Sequence, residues 1–293
     1  MAAAVIFNPR AGLKRGRRSV AEISFYLREA GFDHSIRIAA EGVEITAATR
    51  EALRDGHEIV VAAGGDGTVN AVAAAVAGSS ATLGVLPLGT LNHFAKDLGI
   101  PTDLAAAAQT LAAQRTDRVD VAEVNGRVFV NNSSLGIYPN IVIMREKRRR
   151  LGFHKWVALG LAAMQIARRF PFVQTRIRTN GEQVTERTSF VFVGNNEYES
   201  QGLRIGQRDS LDGGRLCLFV AAPVSRLGLM GMAIAAVLGV LDKTRSLRKF
   251  SVEEASIETR RRHIKVSTDG EVIRLRTPLH YAVRRQALKV IVP

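Results

Sequence analysis

The chain of 293 residues is poor in cysteine, aromatic side chains, acidic groups and long hydrophobic runs, and each shortage removes a class of protein. A single cysteine, Cys217, excludes a disulfide framework and fits a reducing cytosol. It lies in the strand-like run Leu216-Cys217-Leu218-Phe219-Val220, where a thiol serves as a small apolar side chain. Aromatic residues make up 6%, and neither an RNA-binding signature nor a helix-turn-helix pattern accompanies them, so no nucleic-acid partner is expected. The longest apolar stretch, Leu227 to Leu241, is broken by glycine and too short to span a bilayer. The run Ala2 to Phe7 stops at Asn8-Pro9 without a basic n-region, so no signal peptide is expected.

What remains is a globular composition, 46% hydrophobic and 23% charged. At this length roughly 75% of the unfolded surface can be buried, so folding needs no staple. The 41 Lys and Arg against 27 Asp and Glu leave a net charge of +14. Such a field attracts phosphate, whether on nucleotides, nucleic acid or an anionic membrane.

The first 115 or so residues alternate short apolar runs with helical patterns. Ala3–Phe7, His34–Ile38, Glu58–Ala63 and Thr82–Pro87 read as buried parallel strands. Ser19–Ala30, Glu44–Arg54, Val69–Ala77 and Leu104–Ala113 read as the helices between them. This rhythm predicts right-handed crossovers and a doubly wound α/β domain.

After Arg118 the pattern changes to hairpins. Asn125-Gly126 separates Asp120–Val124 from Arg127–Val130, and Asn180-Gly181 follows Thr175–Thr179. Further strand runs fall at Phe190–Val193, Leu216–Val220, Ser251–Glu258, Ile264–Thr268, Leu279–Val283 and Leu288–Val292. Helical insertions are expected at Pro139–Arg169 and Ser225–Lys243. The expected division is residues 1–125 as an α/β nucleotide-binding domain and 126–293 as an antiparallel β-sandwich with helical insertions.

Three of the N-terminal strands end in unusual loops: Asn8-Pro9-Arg10-Ala11-Gly12, Gly64-Gly65-Asp66-Gly67-Thr68, and Pro87-Leu88-Gly89-Thr90-Leu91-Asn92. In open α/β sheets ligands bind at the carboxyl ends of strands, which predicts that the loops converge. Glycine admits close backbone approach to a phosphate, and a following helix offers free N–H groups. A carboxylate at Asp66 inside such a loop makes most sense beside Mg²⁺; its alternative reading is a helix cap. The loops match neither the Walker A pattern nor the dinucleotide fingerprint.

Taken with Asp209-Ser210-Leu211-Asp212-Gly213 and Asp269-Gly270-Glu271, these motifs resemble the diacylglycerol-kinase catalytic family, relatives of sphingosine and ceramide kinases. The resemblance covers nearly the whole chain. It implies an active site between the two domains, with ATP held by Asn8, Gly64, Gly65, Asp66, Gly67, Thr68, Gly89, Thr90 and Asn92. It further implies Asp66 in the network around a catalytic Mg²⁺, with Asp120 as its companion, and Glu271 as general base toward a lipid hydroxyl. A structural Mg²⁺ would sit at Asp212, with the carbonyls of Asp209 and Gly214.

Three positions depart from the family pattern. His93 stands where many members carry Asp, Ala39-Ala40-Glu41 lacks an expected threonine, and no segment returning to the first domain is expected beyond Leu288–Val292. The basic run Arg145–Arg150 adjoins Phe153, Trp156, Leu159 and Leu161, and Arg168-Arg169 closes that stretch. Apolar side chains flanked by basic clusters suit an anionic membrane interface as well as a solvated helix face. The expectation is therefore an ATP- and Mg²⁺-dependent lipid kinase, cytoplasmic and peripheral at the inner membrane face. Homodimer formation stays open. The alternatives are an NAD kinase-like phosphotransferase, which shares the Gly-Gly-Asp-Gly-Thr loop, and, more remotely, a basic nucleic-acid binder.

Overall fold

The computed structural model describes residues 2–11, 18–136, 173–179, 181–201, 204–208, 210–221 and 247–293. Gly12, Asn180, Asp209, both expected helical insertions and the Arg145–Arg150 cluster lie outside the described residues. The chain forms two compact units: Met1–Val121 with Arg127–Asn131 and Arg284–Pro293, and Ala122–Gly126 with Asn132–Val283.

The first unit begins with β1 (Ala3–Phe7), α1 (Val20–Glu29), β2 (His34–Ile38), α2 (Gly42–Arg54), β3 (Ile59–Gly64) and α3 (Asp66–Val76). It continues with β4 (Thr82–Pro87), a short α4 (His93–Asp97) and α5 (Leu104–Ala113). β1 pairs in parallel with β2 and β3, and β3 with β4. The central strands read as unbroken apolar runs because both faces are covered, and Ala3–Phe7 and Val60–Ala63 are all buried. Helices turn inward the faces that 3.6-residue spacing selects, such as Val69, Val72, Ala73 and Val76 of α3. Ser19 and Asp103 cap α1 and α5 through their side chains.

The remaining strands are β5 (Thr116–Val124), β6 (Arg127–Phe129), β7 (Asn132–Gly136), β8 (Val173–Arg178), β9 (Gln183–Thr188), β10 (Phe190–Asn195), β11 (Tyr198–Gln201) and β12 (Arg204–Arg208). They are followed by β13 (Leu216–Ala221), β14 (Leu247–Val252), β15 (Glu254–Thr259), β16 (His263–Thr268), β17 (Glu271–Arg276) and β18 (Leu279–Ile291). In the second unit one antiparallel sheet runs β14-β13-β10-β7-β16-β17. A second joins β9, β8, β15 and the Leu279–Ala282 part of β18. The buried Ser133 and Tyr281 hydroxyls, one from each sheet, lie 3.1 Å apart and tie the sandwich together. Burial drives the Tyr281 phenol well above its ordinary pKa, so it stays neutral there.

Two expectations are corrected. The run Ser251–Glu258 is two strands in different sheets, β14 and β15, separated at Glu253. Leu279–Val283 and Leu288–Val292 are one strand, β18, with a positive φ of 49° at Gln286. Residues 284–293 pack with the first unit. There Lys289 and Val290 pair in parallel with Thr82 and Leu83 of β4. The physical reason is burial: Leu288, Val290 and Ile291 are fully enclosed, while β4 needs a partner on its open edge. Asp120 fixes this strand by accepting a 2.7 Å hydrogen bond from the Gln286 amide.

Candidate functional site

The three glycine-bearing loops of the first unit meet at the carboxyl ends of β1, β3 and β4. Asn8 donates through Nδ2 to Thr68 Oγ1 at 3.0 Å, linking the β1 loop to the first turn of α3. The Asn8 amide reaches Ala63 O at 3.0 Å, and Asn8 Oδ1 accepts from the Arg10 amide at 2.9 Å, closing a tight turn. Leu88 donates its N–H to Gly64 O at 2.8 Å, so the β3 and β4 loops are also joined.

Asp66 is the hub of this arrangement. It is the first residue of α3, which starts three residues before the expected Val69, and it is half-buried. Its Oδ2 accepts from the Asn92 amide at 3.0 Å and its Oδ1 from the His93 amide at 2.6 Å. The carboxylate therefore caps α4, a helix absent from the sequence reading, and satisfies two of its orphan N–H groups. Each carboxylate oxygen has a second lone pair, so this duty leaves room for a cation.

Glycine is required here by close approach. A Cβ on Gly89 would fall 2.6 Å from both Gly65 Cα and Asn92 Oδ1. A Cβ on Gly64 would lie 2.4 Å from Thr68 Oγ1. Gly65 caps α3 without any side-chain hydrogen bond, so the first turn of α3 presents backbone N–H groups and the positive end of its dipole. That donor set fits a phosphate. Thr68, though buried, keeps its own hydroxyl hydrogen while accepting from Asn8, whereas Thr90 and Gly67 are exposed on the loops.

Asn92, expected among the ATP-binding residues, braces its own loop. It is buried, in the left-handed conformation with φ 51°, and its Nδ2 donates to Pro87 O at 3.3 Å and Gly89 O at 3.1 Å. Its amide braces the loop. His93 is exposed at the start of α4 and contributes its backbone N–H to Asp66. Where a threonine was expected near residue 40, the Ala40 and Glu41 amides donate to Glu44, which holds that carboxyl below its ordinary pKa.

In the second unit, Glu271 opens β17, opposite Thr268, and is exposed. It follows the two-residue turn Asp269-Gly270, whose φ values of 47° and 86° suit a hairpin of the primed type. Asp269 Oδ1 accepts from the Asn132 amide at 2.9 Å, and the Asp269 amide donates to Asn132 O at 2.8 Å. The aspartate thus locks the turn that presents Glu271.

Asp212 is exposed, and Gly214, two residues on, is buried with φ 67°. One carboxylate and a main-chain oxygen are the donor types of a hard cation. Among the described residues, no cluster of three His, Cys, Asp or Glu side chains could hold a metal, so any ion here would depend on carbonyls and water. No described helix is long and apolar enough to cross a membrane. Cys217 is buried as expected, and desolvation pushes its thiol up to about 11.

Two family models match the chain. Residues 2–124 match the diacylglycerol kinase catalytic domain, and residues 142–292 match the YegS C-terminal NAD kinase beta sandwich-like domain. A diacylglycerol kinase of Bacillus subtilis is 36% identical over 132 residues, 44% of this chain and 44% of that protein. One from Staphylococcus saprophyticus is 32% identical over 136 residues, 46% of this chain and 45% of its own. The aligned stretch thus spans less than half the length of these curated relatives. A crystal structure from Bacillus anthracis, of a protein assigned to the diacylglycerol kinases, superposes over 100% of this chain and 97% of its own. Its TM-score is 0.75 at 25% identity. Yeast NADH kinase shares the fold at a TM-score of 0.52 and 10% identity.

Proposed function

Because the chain belongs to the diacylglycerol kinase catalytic family, we propose that it is a phosphotransferase that moves the γ-phosphate of ATP to a hydroxyl of a membrane lipid. The acceptor class is a diacylglycerol-like or sphingoid lipid. The observation that carries this reading is the meeting of the Asn8, Gly64–Thr68 and Pro87–Asn92 loops at the first turn of α3 in the first unit. Phosphoryl transfer needs positioning and charge neutralisation more than covalent help from the protein. The backbone N–H groups at the start of α3 and the Thr68 hydroxyl bind and orient the phosphates. Asp66 holds two loops in register and faces the cation that accompanies the nucleotide. Mg²⁺, when bound, supplies the charge neutralisation that phosphates require.

Glu271 acts as the general base that takes the proton from the lipid hydroxyl, and Asp269 fixes the turn that presents it. The site of action is the inner face of the cytoplasmic membrane, which the excess of positive charge favours.

The test is incubation of the protein with γ-labelled ATP, Mg²⁺ and a total lipid extract, with NAD in a parallel reaction. Label recovered in an organic-soluble phospholipid is the expected result, and the product's identity names the acceptor. Label recovered in a phosphorylated dinucleotide, with none in lipid, would overturn the reading in favour of an NAD kinase.

A further inference from the structure

The second unit contains a cavity of about 760 Å³ that none of the roles above involves. Six of its lining residues are basic: Arg187 of β9, Arg260 and Arg261 of the β15–β16 connection, His263 and Lys265 of β16, and Arg274 of β17. Among the described residues, no carboxylate lines it. The nearby Glu258 is taken by Arg178 at 2.9 Å and Arg176 at 3.4 Å.

The strand register sharpens this imbalance. Lys265 stands directly opposite Arg274. Like charges facing each other across an antiparallel pair oppose sheet formation. The cost is lifted when an anion lies over them.

The connection carrying Arg260 and Arg261 is also held in place. The Thr259 and Thr277 hydroxyls donate to Arg261 O at 3.0 and 2.8 Å, and the Thr277 amide donates to Arg262 O at 3.0 Å. These bonds hold the backbone of the connection; the side chains it carries are exposed, and guanidinium groups beside a lysine are the donor set that pairs with phosphate oxygens. The volume is that of a small-molecule site, larger than a lone inorganic ion needs.

We infer that this cavity is a second anion site, one that takes a phosphomonoester-bearing ligand. The ligand is either a soluble phosphate ester or the headgroup of an anionic phospholipid. The inference is independent of the kinase reading, since it concerns binding without ATP or transfer.

The experiment compares wild type with the Lys265→Gln/Arg274→Gln double variant, using glycerol 3-phosphate in one arm. The other arm uses phosphatidylcholine vesicles with and without phosphatidic acid. An Arg176→Gln variant, which alters only an arginine already paired with Glu258, serves as control. Wild type should bind at least one probe at low salt, and the double variant should bind it at least ~10-fold more weakly. The ligand-free double variant should melt no lower than wild type, because a like-charge pair has been removed. Loss confined to glycerol 3-phosphate identifies a soluble ligand, and loss confined to phosphatidic acid vesicles identifies a headgroup. Wild-type binding of neither probe would overturn the inference, as would binding of both by the double variant within twofold of wild type. The glycine loops lie in the other unit, so any phosphate they bind is common to all three proteins.

Discussion

Replacing Asp66 by alanine tests how the glycine loops are held. Its carboxylate accepts two backbone N–H groups, from Asn92 at 3.0 Å and His93 at 2.6 Å, while the N-cap residue Asn92 makes no side-chain cap bond of its own. A hydrogen bond to a charged group is worth about 1.5–3 kcal/mol when buried, and less where water competes. The part-buried Asn92 bond merits about 1.5 kcal/mol and the exposed His93 bond about 1, together about 2.5 kcal/mol of local stability. At 1.36 kcal/mol per tenfold, amide exchange at these two positions should quicken about 70-fold in Asp66→Ala. Asp66→Asn retains one acceptor but turns its NH₂ toward the other amide, so its effect should be roughly tenfold. Residue-resolved hydrogen exchange of the whole chain reads both. Exchange at Asn92 and His93 within twofold of wild type in Asp66→Ala would refute the capping role. Transfer activity should disappear in the same variant. Asp66→Asn then separates the two duties, since it keeps most of the cap without the charge.

Glu271→Gln should lower turnover about 10²- to 10⁴-fold while leaving ATP affinity unchanged, and equal turnover at saturating ATP and lipid would place the base elsewhere. Asp269→Asn should cost little, because asparagine accepts the Asn132 N–H and tolerates φ 47°, whereas Asp269→Ala loses both and should lower turnover more. Gly89→Ala places a methyl 2.6 Å from Gly65 Cα and should cost about 1–3 kcal/mol in urea unfolding together with ATP binding; an unaltered midpoint would mean the loops can part freely. Cys217, buried with its thiol pushed up to about 11, should resist iodoacetamide at pH 8 in the folded protein and react on unfolding. Rapid labelling of the native chain would contradict that burial.

Where burial alone decides structure, the sequence was legible. The strands Ala3–Phe7 and Thr82–Pro87 follow the bounds read from apolar runs, since each is a short buried hydrophobic segment between turn residues; His34–Ile38 is also a strand, although none of its residues is buried. Polar strands were harder to read. Arg284-Arg285-Gln286-Ala287 interrupts the apolar pattern of β18 and makes one strand look like two. β17, with Arg274 and Arg276 alternating outward, lacks the apolar run of a buried strand. In the site, glycine and threonine pointed to phosphate chemistry because their backbone needs are local. The inward turn of Asn92 and the capping duty of Asp66 depend on partners up to 27 residues away, which spacing does not encode. The opposed Lys265 and Arg274 likewise become visible only once the β16–β17 register is known.

The placement of residues 284–293 in the first unit bears on how the protein is made. A ribosome that has finished Val121 must still add roughly 170 residues before the strand that completes β4's pairing exists. At 5–20 residues per second that interval lasts roughly 10–30 s. Throughout it, one row of β4 backbone donors and acceptors stands open in the nascent chain, beside a sheet otherwise ready to form. Nascent chains crowded on one messenger therefore carry a vacant parallel seat that the Arg284–Ile291 strand of a neighbour fits as well as their own. Slow synthesis of the second unit, or a tag that hinders this strand, should surface as exchanged dimers and aggregates through the first unit.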